Sequence, residues 1–149
     1  MPTVKDVAAY VLNEAGPMTA MKLQKMVYYS KAWHLVWEER SLFPEPIQAW
    51  ANGPVCPELY QQHRGQFRVS PGDINGDPDA LADFEKESID VVLQFYRDFT
   101  AVELSDLTHS EDPWKDARKG LAPGERCQNV ISEAAMAEFY EALAASAEV

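Results

Sequence analysis

The sequence predicts a mainly α-helical fold, a single compact helical domain around a buried central helix, with a short β segment near residues 47–51. Three observations carry that reading. Thr19–Trp37 is apolar on nearly every side at helical spacing, neighbouring segments show one-sided apolar periodicity behind capping residues, and four prolines between Arg40 and Pro57 exclude a long helix there. At 149 residues, 46% of them hydrophobic, the chain can bury one ordinary core without staples. The domain is expected over residues 3–145, with 146–149 frayed.

The first helix is expected from Thr3 to Ala15. Val4, Val7, Ala8, Val11 and Leu12 form its apolar stripe, Thr3 caps its start, and Gly16-Pro17 ends it. The central helix follows after a turn short enough to make the two helices neighbours. Stepping 100° per residue puts Leu23, Met26, Val27, Ser30, Trp33, His34 and Trp37 on one face and Met21, Tyr28, Ala32, Leu35 and Val36 on the other. Lys22, Gln24, Lys25 and Lys31 occupy narrow strips, where long basic stems are expected to lie along apolar surface with their heads in water.

Ile47, Ala49 and Ala51 alternate with Gln48 and Trp50, which marks the only expected strand, ending in an Asn52-Gly53-Pro54 turn. Leu42-Phe43 or another extended piece is its candidate partner. Pro57 suits the first position of a helix through Leu59, Tyr60 and His63. Arg68–Asp79 has loop composition. Asp77-Pro78 is a helix start, and Leu81, Phe84, Ser88, Val91, Val92, Phe95 and Phe99 set the apolar spacing of the second long helix. A short helix over Thr100–Thr108, another from Asp112-Pro113-Trp114, and a last one capped by Ser132 complete the chain.

Charge narrows the function classes. The net charge is −11 and unevenly placed: Met1–Arg68 holds seven basic and six acidic residues, whereas Val69–Val149 holds six and eighteen. Such a field disfavours direct nucleic-acid binding and favours a basic partner, although acidity also serves solubility alone. Asp83 and Glu87, on the exposed side of the second long helix, are candidate contacts for such a partner. Cys56 and Cys127 suit neither a metal site nor a disulfide framework, which places the chain in the reduced cytoplasm. No signal peptide and no apolar run of about eighteen residues suggests a membrane.

No catalytic, metal or cofactor site is expected. The chain lacks GxGxxG, GxxxxGK[ST] and GxSxG, and His34, His63 and His109 sit in separate segments. His34 reads as a hydrogen-bonded core residue and Cys56 as buried filler. His109 with Glu111 or Asp112 forms the one acid/base-like cluster, and a metal-dependent or acid/base hydrolase is the alternative reading from another class; the same residue types also satisfy helix ends. Surplus aromatics point to recognition instead. Trp33 and Trp37 suit the core, whereas Trp50 and Tyr60 flank the proline-rich turn as interface anchors, with Asn52 and Pro54 between them.

Three blocks, in order, resemble a known family. They are Met21–Tyr29 with Leu23, Gln24, Lys25 and Tyr28, followed by Ala32-Trp33-His34; Ala49–Val55 with Gly53, Pro54 and Val55, followed by Leu59 and Tyr60; and Leu104–His109 with Thr108, followed by Pro113 and Trp114. Together they are similar to the Panacea domain of GepA-like and SocA-like phage-associated proteins, over roughly residues 3–120. The resemblance implies a helical domain acting as the antitoxin of a bacterial or phage toxin–antitoxin pair, neutralising a cognate protein toxin by direct contact. Delivery of that toxin to a cytoplasmic protease is the alternative, with the tail after Leu143 as a recognition end. Many members carry added DNA-binding segments that this chain does not show, so DNA-binding autoregulation is not expected of it.

Overall fold

A helix that is apolar all round has to be wrapped, and the chain wraps this one. The computed structural model describes residues 1–147, which form seven α-helices and five short strands: α1 (Val4–Ala15), β1 (Met18–Thr19), α2 (Ala20–Glu38), β2 (Ile47–Trp50), β3 (Gly53–Val55), α3 (Pro57–His63), β4 (Arg68–Val69), α4 (Asp83–Tyr96), α5 (Ala101–Ser110), α6 (Asp112–Ala117), β5 (Val130–Ile131) and α7 (Glu133–Ala147). A 3-10 turn spans Pro78–Ala80. Helices α1, α4, α5 and α7, together with β3, pack around α2. Leu23, Met26, Val27, Tyr29 and Ala32 are fully removed from solvent, which makes α2 the axis of a single core.

Local capping chemistry sets the helix starts. Thr3 and Asp6 form a reciprocal capping box on α1, Thr19 accepts from the Lys22 amide on α2, Thr100 and Glu103 form a box on α5, and Ser132 accepts from the Ala135 amide on α7. Gly16, at φ 82°, ends α1 with its N–H on Leu12 O. Helix α2 ends without glycine: Glu39 takes the left-handed conformation at φ 56°.

Several expectations need correction. Of the two alternatives for the partner of β2, Leu42-Phe43 is not it and other extended pieces are: β2 lies between β3 and β5, antiparallel to both, with Ala49 opposite Pro54 and Ile47 opposite Ile131. The turn is therefore Ala51-Asn52. Gly53 and Pro54 belong to edge strand β3, a place where a missing amide hydrogen is tolerated. Met18-Thr19 pairs with Arg68-Val69 in a second small sheet, inside the stretch expected to be loop. Leu42 and Phe43 are fully buried in irregular structure.

Asp77 and Pro78 do open a helix, the 3-10 turn, with Asp77 accepting from the Asp79 amide; helix α4 itself starts only after Ala82, and its buried face runs through Ser88, Ile89, Val92, Leu93 and Tyr96. Val91 and Phe95, expected inside, are 48% and 69% exposed, and Val102 on α5 is 70% exposed. Glu85 is buried because its carboxylate accepts from the Ala82 amide at the helix start. Trp37 is also outside the core, 43% exposed and stacked on Trp33. Helix α7 continues through Ala147, two residues into the stretch expected to fray; residues 148 and 149 lie outside the described part.

The largest departure is on α2. Lys25 and Lys31 do not reach water along the surface: they are 1% and 2% exposed. Lys31 is compensated, donating to the carbonyls of Phe43 and Glu45 at 2.9 Å each, lying over the Phe43 ring, and pairing with Glu133 at 3.9 Å. Lys25 has no such set.

Candidate partner-binding site

The three sequence blocks meet at the β2–β3 hairpin. Lys25 of α2 lies across Gly53 of β3, with Thr108 of α5 on the far side: a Cβ on Gly53 would overlap Lys25 Cε and stand 2.9 Å from its Nζ and 3.2 Å from Thr108 Oγ1. Gly53 also has φ 124°, which side chains rarely adopt. The residue is thus fixed as glycine by backbone and by contact. The Thr108 hydroxyl itself donates to Ser105 O at 2.8 Å, and Ser105 Oγ donates to Asn52 O at 2.6 Å, which ties α5 to the hairpin turn.

The remaining block residues hold the hairpin from its other sides. Gln24 Oε1 accepts from the Cys56 amide at 2.9 Å, so its NH2 group faces His63 Nε2, also at 2.9 Å, and that ring nitrogen must accept. Burial pushes the His63 pKa down, as the neutral ring in this arrangement requires. Trp114 donates its indole N–H to Trp50 O at 2.8 Å, and Arg118 donates to Ala49 O at 3.0 Å while lying over the Trp114 ring. Tyr28, Leu59 and Leu104 belong to the core, and half-buried Trp33 packs against it.

Between the hairpin, the start of α2, α3 and the loop before β5 lies a cleft of about 850 Å³. Trp50 and Tyr60 form one wall, their rings 5.1 Å apart and edge-to-face, with the Trp50 indole N–H held by Gln48 Oε1 at 2.8 Å. Val55, Lys25 and Gln24 line the interior. Of the residues expected to meet a partner, Trp50, Asn52 and Tyr60 line this cleft, with the Asn52 side chain in solvent. Pro54 is buried against β2 and so supports the rim without presenting a contact. Asp83 and Glu87 are exposed on α4 and do not line the cleft.

The acid/base-like cluster is divided by the fold. His109 stacks on Trp114 at 4.0 Å, and burial first, then the Lys25 charge, lowers its pKa. Glu111 turns inward, where its carboxylate accepts from Tyr29 at 2.7 Å and Tyr140 at 2.8 Å; burial raises its pKa against the pull of those two bonds. Asp112 is exposed beside Lys115. Glu111 rather than Asp112 is the residue ahead of α6, yet its side chain makes no cap because the tyrosines hold it. These three residues share no common space for a substrate. His34 is buried and hydrogen-bonded to Ser88 at 2.8 Å, and Cys56 is buried with its pKa pushed up to about 12 by desolvation, so its thiol stays protonated and inert.

The sequence reading missed the buried state of Lys25, and a signal for it was present: a helix apolar in every sector offers a lysine no solvated side. Residues 23–115, a span that takes in the second and third blocks and all of the first except Met21 and Lys22, match the family described as antitoxin SocA-like, Panacea domain. No curated protein and no solved structure gives a significant match to the chain. With its blocks joined around one hairpin and more than half its length inside the matched span, this chain belongs to the SocA-like antitoxin family of Panacea domains.

Proposed function

We propose that the protein is the antitoxin of a toxin–antitoxin pair and neutralises its cognate protein toxin in the cytoplasm by direct contact at the Trp50, Asn52 and Tyr60 rim. The observation that carries this reading is the convergence of all three family blocks on the hairpin that presents this rim. A rim held from α2, α5 and α6 is rigid before a partner arrives, so little ordering entropy is lost on association. Trp50 and Tyr60 supply aromatic anchor area, and the solvated Asn52 amide supplies edge hydrogen bonds. The net charge of −11, with Asp83 and Glu87 outside the cleft, suits a toxin with a basic surface, whose approach the field accelerates.

The test is co-expression with the product of the adjacent gene. That product is expected to arrest growth alone and to be tolerated with this chain, and the two are expected to co-purify. A product harmless by itself, or equally toxic in the presence of this chain, overturns the reading.

A further inference from the structure

The cleft has the opposite charge character to its protein. The chain carries 24 acidic residues against 13 basic, yet no Asp or Glu lines the cleft, while Lys25, His63 and Arg126 do. Lys25 is the deep cation. It is 1% exposed, and among the described residues it makes no hydrogen bond and no ion pair, in contrast to Lys31 six residues on. Burial alone acts on it, lowering its pKa to about 8, so the amine is still charged at neutral pH. A desolvated ammonium with no partner of its own is an electrostatic vacancy for an anion.

The charge to be matched is a single one. His63 Nε2 accepts from Gln24, which keeps that ring neutral, and Arg126 is at the exposed mouth. A phosphate dianion set against one ammonium would leave a desolvated negative charge, whereas a carboxylate balances it. The wall beside Lys25 is aromatic, formed by the edge-to-face Trp50 and Tyr60 rings, and the volume of about 850 Å³ is ample for a small organic molecule. We propose that this cleft binds a small aromatic monocarboxylate, with its carboxylate against the Lys25 ammonium and its ring along the Trp50–Tyr60 wall. The ring would share the Trp50–Tyr60 wall with the proposed toxin-binding rim, but the ligand is tested on the purified chain without a partner, so failure here leaves the antitoxin reading standing.

Calorimetric titration of the purified chain with phenylacetate is the experiment, with phenylacetamide and inorganic phosphate as comparison ligands. Saturable one-site binding of phenylacetate is expected at pH 7, weakened at least about tenfold by Lys25→Met and by replacing the acid with its amide. Trp50→Leu, which keeps the ammonium, is expected to weaken binding several-fold while leaving the distinction between acid and amide. Affinity falls as pH rises past about 8 and the amine loses its proton. The titratable group that feels the Lys25 charge is His109 on α5, and His63 on α3, Tyr60, Arg126 and Cys127 line the same cleft; the histidines, with lowered pKa values, are neutral throughout this range. Lys25→Met retains all of them, so its residual binding is expected to lack the pH step. No binding of phenylacetate up to about 10 mM, equal binding by Lys25→Met, phosphate binding as tight as phenylacetate, or a flat pH profile overturns the proposal.

Discussion

The indole N–H of Trp114 donates to the carbonyl of Trp50 across 2.8 Å, joining the start of α6 to the end of β2. The same indole carries His109 on its face at 4.0 Å and the Arg118 guanidinium 5.0 Å from its centroid. Trp114→Phe keeps a ring for both neighbours and deletes the donor, so it is expected to cost about 1 kcal/mol. Trp114→Ala removes the platform as well and is expected to cost about 3 kcal/mol. Urea unfolding of the two variants checks the order; equal losses would show that the ring platform contributes nothing, and an unchanged Trp114→Phe would show that the hydrogen bond contributes nothing.

Lys25→Met is expected to stabilise the fold. The Lys25 pKa falls from 10.5 to about 8 on folding, so below pH 8 both states carry the proton and the folded state bears a penalty of about 3 kcal/mol. Because the folded pKa is the lower one, the unfolded chain binds the extra proton between the two values, and wild-type stability rises across that window. The advantage of the methionine variant is therefore expected to be largest at pH 7 and to shrink by pH 10, as read from urea midpoints at both.

Gly53→Ala is expected to destabilise by about 2 kcal/mol or more, from its positive φ and the overlap with Lys25 Cε. Shortening the lysine removes the second cause and leaves the first. In a double-mutant cycle with Lys25→Ala the combined loss is expected to be smaller than the sum of the single losses; strict additivity would show that the lysine stem is not what the new methyl group meets.

Acidification is expected to weaken the fold below about pH 6.5. His34, His63 and His109 all have pKa values lowered from 6.5, with burial the largest cause each time. Their stabilising contribution is present above that value and is lost as pH falls through the folded values. Glu111 has the opposite sign: its raised pKa means that protonation near and below its folded value restores stability. Chemical denaturation from pH 7 to pH 5 should show the loss, and ring-proton titration by NMR should place all three histidines below 6.5.

Asn52→Asp tests the rim with little disturbance to the fold, since that side chain is in solvent. Stability is expected to change by less than about 0.5 kcal/mol, while toxin neutralisation falls. Trp50→Ala is expected to lower neutralisation further and also to cost about 2 kcal/mol, because its half-buried ring packs on Tyr60. Growth assays at matched levels of folded protein separate the two effects.

The helices were legible because their signals are local. Thr3, Thr19 and Ser132 cap where the sequence places caps, and Pro57 opens α3. Strands β1, β4 and β5 were not legible, since two residues carry no period and their pairing depends on distant partners. Helix α4 was misfaced because Val91 and Phe95 compete with Ile89, Leu93 and Tyr96 for the apolar side, and packing against α2 decides between them. At the site, the aromatic rim could be read from composition around a proline-rich turn. Glu111 could not, because its partners Tyr29 and Tyr140 come from 82 and 29 residues away.

The four indoles sit as two pairs, and this gives the molecule an optical division of labour. Trp33 and Trp37 stack with centroids 5.5 Å apart toward the C-terminal end of α2, while Trp50 and Trp114 are linked beside its N-terminal end, where Ala20 and Met21 border the same cleft as Trp50. Stacked chromophores couple their electronic transitions, so the first pair contributes a near-ultraviolet dichroic signal that disappears when α2 frays. The second pair emits from the rim. Replacing Trp33 and Trp37 with phenylalanine leaves emission that follows events at the cleft, and replacing Trp50 and Trp114 leaves a spectrum that follows the far end of the helix, so one protein supplies separate spectroscopic reporters for occupancy and for unfolding.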